Sequence, residues 1–171
     1  MRQIVRWTAL AAIAVASSAM AAPVLMSAEW AAEACRAWNA DAGLTGALYE
    51  SGWAANNKNR AQKILRMARA DCKESPQVEL QIAVLDRQAH CVAGVPASAP
   101  PLDLDVDYLM TAQTARWMEM GRGEYGPMRA MMFGKLSFEG PMIEAMGNMG
   151  PFEGFLRLVG KVPGDTASCP K

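Results

Sequence analysis

The chain has 171 residues, with 17 basic and 17 acidic side chains and a single histidine. That length suits one domain plus a short accessory segment rather than two domains with separate cores. The balanced charge lacks the net basic surface a nucleic-acid binder needs. A single imidazole, His90, argues against acid–base catalysis, for which carboxylates can also serve.

The first residues read as a secretory leader over 1–21. Arg2 and Arg6 supply the positive start, Trp7 to Val15 a short apolar run, and Ala19-Met20-Ala21 a small-x-small cleavage site. The run is shorter than the roughly 20 residues that span a bilayer. The leader's two arginines are not adjacent and no cysteine stands directly after the cleavage site, which sets aside twin-arginine and lipoprotein signals. Cleavage leaves 150 residues with a net charge near −2 and a periplasmic destination. Cys35, Cys72, Cys91 and Cys169 all remain. An even count in an exported chain predicts two disulfides, with three pairings open. Cys72–Cys91 is not the obvious choice in a simple meander, since the Cα atoms must approach within about 7 Å. Cys35 and Cys169, near the ends, are placed to staple the terminal segments to the body. There is no CxxC or CxxCH motif to hold a metal or haem.

In chain order, Ser27 is a helix N-cap, and Trp30, Ala34 and Trp38 form one apolar face. The pattern loosens from Asp41 to Gly46. Strands are predicted at Ile64–Arg69, Val78–Val84 and Gln88–Ala93, the last two joined at Asp86-Arg87. Val95 to Pro101 reads as an extended loop. Leu102 to Tyr108 alternates cleanly and predicts a strand with Asp103, Asp105 and Asp107 on a solvated face. These aspartates are not a calcium loop of the EF-hand kind, because Tyr108 and Thr114 stand where Gly and Glu are required. Thr111 or Thr114 is expected to cap a helix ending at Gly121. Pro127 opens another, with Gly134 at its C′ position. Lys135–Glu139 is a short strand, Pro141 opens a helix broken at Gly147 and Gly150, and Phe152–Val159 is a last apolar helix. The divisions are thus a leader over 1–21, an N-terminal helical segment over 22–50, a main domain over 51–160 and a tail over 161–171.

Nine of thirteen methionines fall between Met110 and Met149. Met142, Met146 and Met149 share a helical stripe, and Phe133, Phe138, Phe152 and Phe155 accompany them. Flexible thioethers suit a wall that moulds around varied apolar shapes, though the same spacing also describes ordinary core. Thioethers also bind copper(I), but Met118-x-Met120 is the only Met-x-Met pair, and its side chains diverge on a helix.

The run Asp107-Tyr108, a helix bearing Trp117, Gly121-Arg122-Gly123-Glu124, then Pro127-Met128-Arg129-Ala130-Met131-Met132-Phe133-Gly134-Lys135-Leu136-Ser137-Phe138-Glu139-Gly140 resembles the second half of a sterol-carrier-protein-type domain. Gly-Lys-Leu stands between two apolar helices, in that family's order. Gly126, Phe133 and Pro141 depart from its pattern, each removing a polar cap. The resemblance extends from about 45 to 160. It implies an α/β fold: a mainly antiparallel, five-stranded sheet covered by helices on one face, with an apolar tunnel between them. It further implies a non-catalytic protein without a cofactor that binds or transfers a sterol, hopanoid, fatty acyl chain or phospholipid. The tunnel wall is then expected from Met131, Met132, Phe133, Phe138, Met142, Met146, Phe152 and Phe155. Met142 and Met146 are expected to face that space together. The competing readings are a module that docks a periplasmic enzyme, marked by a closed core instead of a continuous cavity, and copper(I) handling. Contact with a membrane surface is compatible with the carrier reading.

Overall fold

The computed structural model describes residues 21–97 and 101–171. The expected leader lies outside them, save for its last residue. No helix among the described residues is long and apolar enough to cross a membrane.

Helix α1 (Ala28–Asn39) begins where Ser27 accepts a hydrogen bond from the Trp30 N–H, and it buries Trp30, Ala34 and Trp38 as the spacing predicts. The segment after Asp41 is a correction. It forms a second helix, α2 (Ala42–Glu50), because the Asp41 carboxylate accepts from the N–H groups of Gly43 and Leu44. Gly43 and Gly46 blur the sequence pattern, while burial of Leu44 and Leu48 holds the helix.

Strands β1 (Lys63–Arg69), β2 (Val78–Leu85), β3 (Gln88–Pro96), β4 (Tyr108–Ala112) and β5 (Ser137–Glu139) form one sheet in the order β3-β2-β1-β4-β5. All pairs are antiparallel except β1–β4. Asp86 and Arg87 both take positive φ, 48° and 60°, the geometry of a two-residue hairpin whose twist matches its strands. Strand β3 runs on to Pro96 opposite Val78, so the expected loop at Val95 starts later. Helices α3 (Thr114–Gly121), α4 (Pro127–Met132), α5 (Met142–Gly147) and α6 (Met149–Lys161) complete the chain. Residue Gln113, not a threonine, is the N-cap of α3. Thr114 instead donates its N–H and hydroxyl to Asp71.

Helices α1 and α2 lie on the β2–β3 side of the sheet, and α6 packs against α1, α2 and α3. The approaches are close. A Cβ on Gly94 would stand 1.9 Å from the Ala31 carbonyl oxygen of α1, and one on Gly160 would stand 2.3 Å from the Gly121 oxygen. Disulfides join Cys35 to Cys91 and Cys72 to Cys169. The first pins α1 to β3. The second pins the C-terminal tail to the β1–β2 connection.

The predicted strand from Leu102 is overturned. Residues 104–106 form a turn, with the Val106 and Asp107 N–H groups donating to the Asp103 carbonyl, and β4 starts only at Tyr108. Asp107 is not solvated but wholly buried. Its carboxylate accepts from Arg60 Nη1 (2.9 Å) and Nη2 (2.6 Å) and from the N–H groups of Ile64 and Asp103. Asp103 and Asp105 share the Lys58 ammonium. The alternation arises because a turn with side-chain caps places aspartates at the same spacing as a strand face.

Two measurements check this scheme. Replacing Cys35 and Cys91, or Cys72 and Cys169, by serine is expected to lower unfolding free energy by about 2–4 kcal/mol in denaturant titrations, since each bond closes a long loop in the unfolded chain. Asp107→Ala is expected to cost about 3–5 kcal/mol, because it leaves Arg60 and two N–H groups without their acceptor, whereas removing the exposed Asp105 carboxylate stays within about 0.5 kcal/mol.

Candidate apolar ligand site

Between the sheet and helices α2, α5 and α6 lies a cage of aromatic rings. Trp38 stands 6.3 Å from Trp53, Trp53 5.7 Å from Tyr108, and Tyr108 6.0 Å from Phe152. Phe152 stands 6.0 Å from Phe155 and Phe155 6.1 Å from Trp38, closing the ring. Phe138 abuts Tyr108 at 4.8 Å from outside this circuit. Most pairs are tilted or edge-on, the arrangement favoured by ring quadrupoles. The enclosed space is bounded further by Leu48, Leu65, Ala145 and Pro151 and measures about 10 Å3, room for one water-sized sphere at most. At that volume the space holds no acyl chain as it stands.

Each wall residue is delivered by its own element. Alternation along β1 and β4 sends Leu65 and its directly opposed partner Tyr108 to the same face. Trp38 comes from the buried stripe of α1 and donates its indole N–H to the Ala89 carbonyl at 2.8 Å. Phe152 and Phe155 lie on the buried side of α6.

A polar cluster borders this apolar cage. The Lys63 ammonium is completely buried. It donates to Glu144 Oε1 at 2.6 Å and to the Asn56 carbonyl at 3.1 Å, and sits 4.7 Å from the Trp53 ring and 5.3 Å from the Tyr108 ring. Tyr108 donates its hydroxyl to the same Glu144 oxygen at 3.0 Å and accepts from Trp53 Nε1 at 2.9 Å. Asn56 Nδ2 donates to the other carboxylate oxygen. Burial pulls the Lys63 pKa below the usual lysine range, with Glu144 pushing it back. Burial also raises the Tyr108 pKa, so the phenol stays a donor at neutral pH. Among the described residues no three of His, Cys, Asp and Glu gather to hold a metal ion.

The expected wall residues divide. Phe152 and Phe155 are buried in the cage, Phe138 packs on its edge, and Met131 packs partly buried against the core. Met132 (71 % exposed) and Phe133 (65 %) point outward at the end of α4, and Met142 and Met146 lie on the exposed side of α5, where Ala145 is the buried residue. Trp38, Leu48, Trp53, Lys63, Tyr108 and Glu144 were not expected at the site. Two signals existed. Lys63 keeps the two-residue spacing of Leu65 and Met67, and Glu144 is the sole charge in a methionine stripe.

Residues 47–153 match the model of the SCP-2 sterol transfer family. A crystal structure of sterol carrier protein 2 superposes with a TM-score of 0.52 at 17 % identity, covering 81 % of this chain and 99 % of that one. The solution structure of a conserved hypothetical protein from Thermus thermophilus gives 0.49 at 19 % identity over 87 % and 96 %. Sterol carrier protein 2 from Yarrowia lipolytica, in its apo form, gives 0.41 at 12 % identity over 77 % and 87 %. No curated protein sequence matches the chain. With more than half its length matched by the family model and its five-stranded α/β fold shared with a sterol carrier protein, this chain belongs to the SCP-2 sterol transfer family.

Proposed function

We propose that the protein is an exported, non-catalytic carrier that binds an apolar lipid within the aromatic cage. The observation that carries this reading is the closed ring of Trp38, Trp53, Tyr108, Phe152 and Phe155 between sheet and helices, in a chain of a lipid-transfer family. Such a ring binds through apolar contact and stacking, without need of a precise polar template. A ligand burying roughly 300 Å2 gains about 7 kcal/mol before entropy costs. The cage must expand to admit it. The short helix α5, whose outer side carries Met142, Ile143 and Met146, is the element positioned to move. Periplasmic residence rests on the leader-like first residues and on the two disulfides, which persist in oxidising compartments.

A second reading, a module docking a periplasmic enzyme, draws on the closed state of the cage, whose 10 Å3 holds no acyl chain without movement. Native mass spectrometry of the mature protein and uptake of fluorescent acyl and sterol probes separate the two. A carrier is expected to take up probe with one-to-one stoichiometry. Phe152→Asp places a carboxylate in the cage and is expected to abolish uptake, while Met146→Asp, on the exposed side of α5, leaves it within about twofold. A protein that takes up neither probe class but recruits one stoichiometric protein favours docking.

A further inference from the structure

Helices α4 and α5 are turned inside out. Each has six residues, and the buried ones are small or cyclic: Pro127 and Ala130 in α4, Ala145 in α5. Their large apolar side chains face water instead. Met128, Met132 and Phe133 at α4, with Met142, Ile143 and Met146 on α5, make six of the ten large apolar side chains exposed among the described residues. A helix on a protein surface ordinarily carries the reverse polarity. We propose that these two helices form a docking surface for an anionic lipid bilayer, with Met132 and Phe133 as the inserted tip and Arg129 at the level of the headgroups.

Three observations favour a bilayer over a protein partner. First, the apolar residues project. Ile143 is 88 % exposed, and Met132 and Phe133 stand together at the end of α4, where Gly134 turns the chain with φ of 62°. Fluid acyl chains close around a projecting side chain, whereas a protein partner must offer a groove of matching shape. Second, the tip carries an unneutralised cation. Arg116, Arg122 and Arg157 each pair with a carboxylate. Among the described residues none pairs with the exposed Arg129, whose guanidinium lies 6.0 Å from the centre of the Phe133 ring. With that ring in the acyl region, the guanidinium meets phosphate. Third, a groove of about 460 Å3 opens beside Phe133 and is lined by Gln113, Arg116, Lys135 and Ser137. Lys135 is only loosely paired there, 3.9 Å from Glu119 Oε2. These side chains are donors suited to one headgroup phosphate.

The two helices flank one point of the fold. Both pack on α6, and a groove joins Pro127, Met128 and Arg129 to Met149 and Gly150, just after α5. The inner side of α5 presents Ala145 to the aromatic cage. Docking through the outer side therefore sets that wall of the cage against the bilayer. This inference goes beyond the carrier reading and stands without it, because it rests on the outer faces alone.

The test is flotation of the mature chain, both disulfides intact, with vesicles of phosphatidylcholine alone or with about one-third phosphatidylglycerol. Wild type is expected to partition about fivefold more strongly onto the anionic vesicles, a preference that high salt removes. Replacing Met132 and Phe133 together by serine is expected to lower partitioning more than about tenfold. Arg129→Gln is expected to cost about fivefold on anionic vesicles and nothing on neutral ones. Leu85→Ser removes an exposed apolar side chain from the β2–β3 hairpin, on the other side of the sheet from β5, and is expected to change neither. All four positions are exposed, so the variants are expected to keep the wild-type melting temperature. Fluorescence of Phe133→Trp is expected to be quenched by lipids brominated in their acyl chains, which reports insertion and not surface contact. Equal flotation on both vesicles, flotation on neither, or an equal loss in Leu85→Ser overturns the proposal. So does a wild-type chain that ignores vesicles and dimerises through Phe133. The carrier reading is judged apart from this, by probe uptake in vesicle-free buffer.

Discussion

Strand β1 carries a cation at each end of its buried face, and the rest of the molecule is arranged to satisfy them. Lys63, Leu65, Met67 and Arg69 alternate onto one side, and all four are buried. Lys63 takes its anion from α5. Arg69 takes the carbonyls of Leu25, Thr166 and Ser168 and the hydroxyl of Thr114, at distances from 2.6 to 3.4 Å. Buried charges stand only where partners are held in place. The Arg69 end is held by the tail that the Cys72–Cys169 bond fixes. The Lys63 end is held by a carboxylate on a six-residue helix at the surface. One end of the strand is thus tied to a covalently fixed tail, and the other to a carboxylate on a short helix.

This asymmetry matters for a member of a lipid-transfer family. An aromatic cage that stayed open would expose apolar area to water, and a cage sealed by packing alone would open for any apolar solute. Lining it with rings that meet mostly edge to face keeps that surface buried, and the Lys63–Glu144 pair ties α5 to the sheet beside them. The polar cluster around Lys63 is therefore as much a part of the site as the rings.

Much was legible in the sequence. The α1 stripe, the β2–β3 hairpin at Asp86-Arg87, the Pro127 helix start and the Gly134 end, where φ is 62°, all follow from local rules that act over a few residues. The even cysteine count pointed to two disulfides, and the Gly-Lys-Leu signature to the family. One misreading shows the limit of spacing. The Leu102–Tyr108 alternation reads as a solvated strand because spacing shows which residues recur, not which are neutralised. Arg60, 47 residues earlier, turns Asp107 into a buried anchor.

The wall of the site shows where sequence stops. Composition and spacing established that the second half of the chain is rich in methionine and phenylalanine and helical around a short strand, because apolar periodicity is a local property. Which of those residues face inward was decided by tertiary packing. Helix α5 is only six residues long, so its orientation follows its one charged anchor. With Glu144 drawn toward Lys63, Ala145 meets the cage and Met142 and Met146 face outward. The aromatic ring is likewise a product of the fold. Its members come from positions 38, 53, 108, 152 and 155, and only the crossing of α1, β4 and α6 over one sheet brings them into one circuit of ring contacts. Local chemistry set the elements, and long-range partners for two buried cations, a carboxylate for Lys63 and carbonyls for Arg69, set the faces they present.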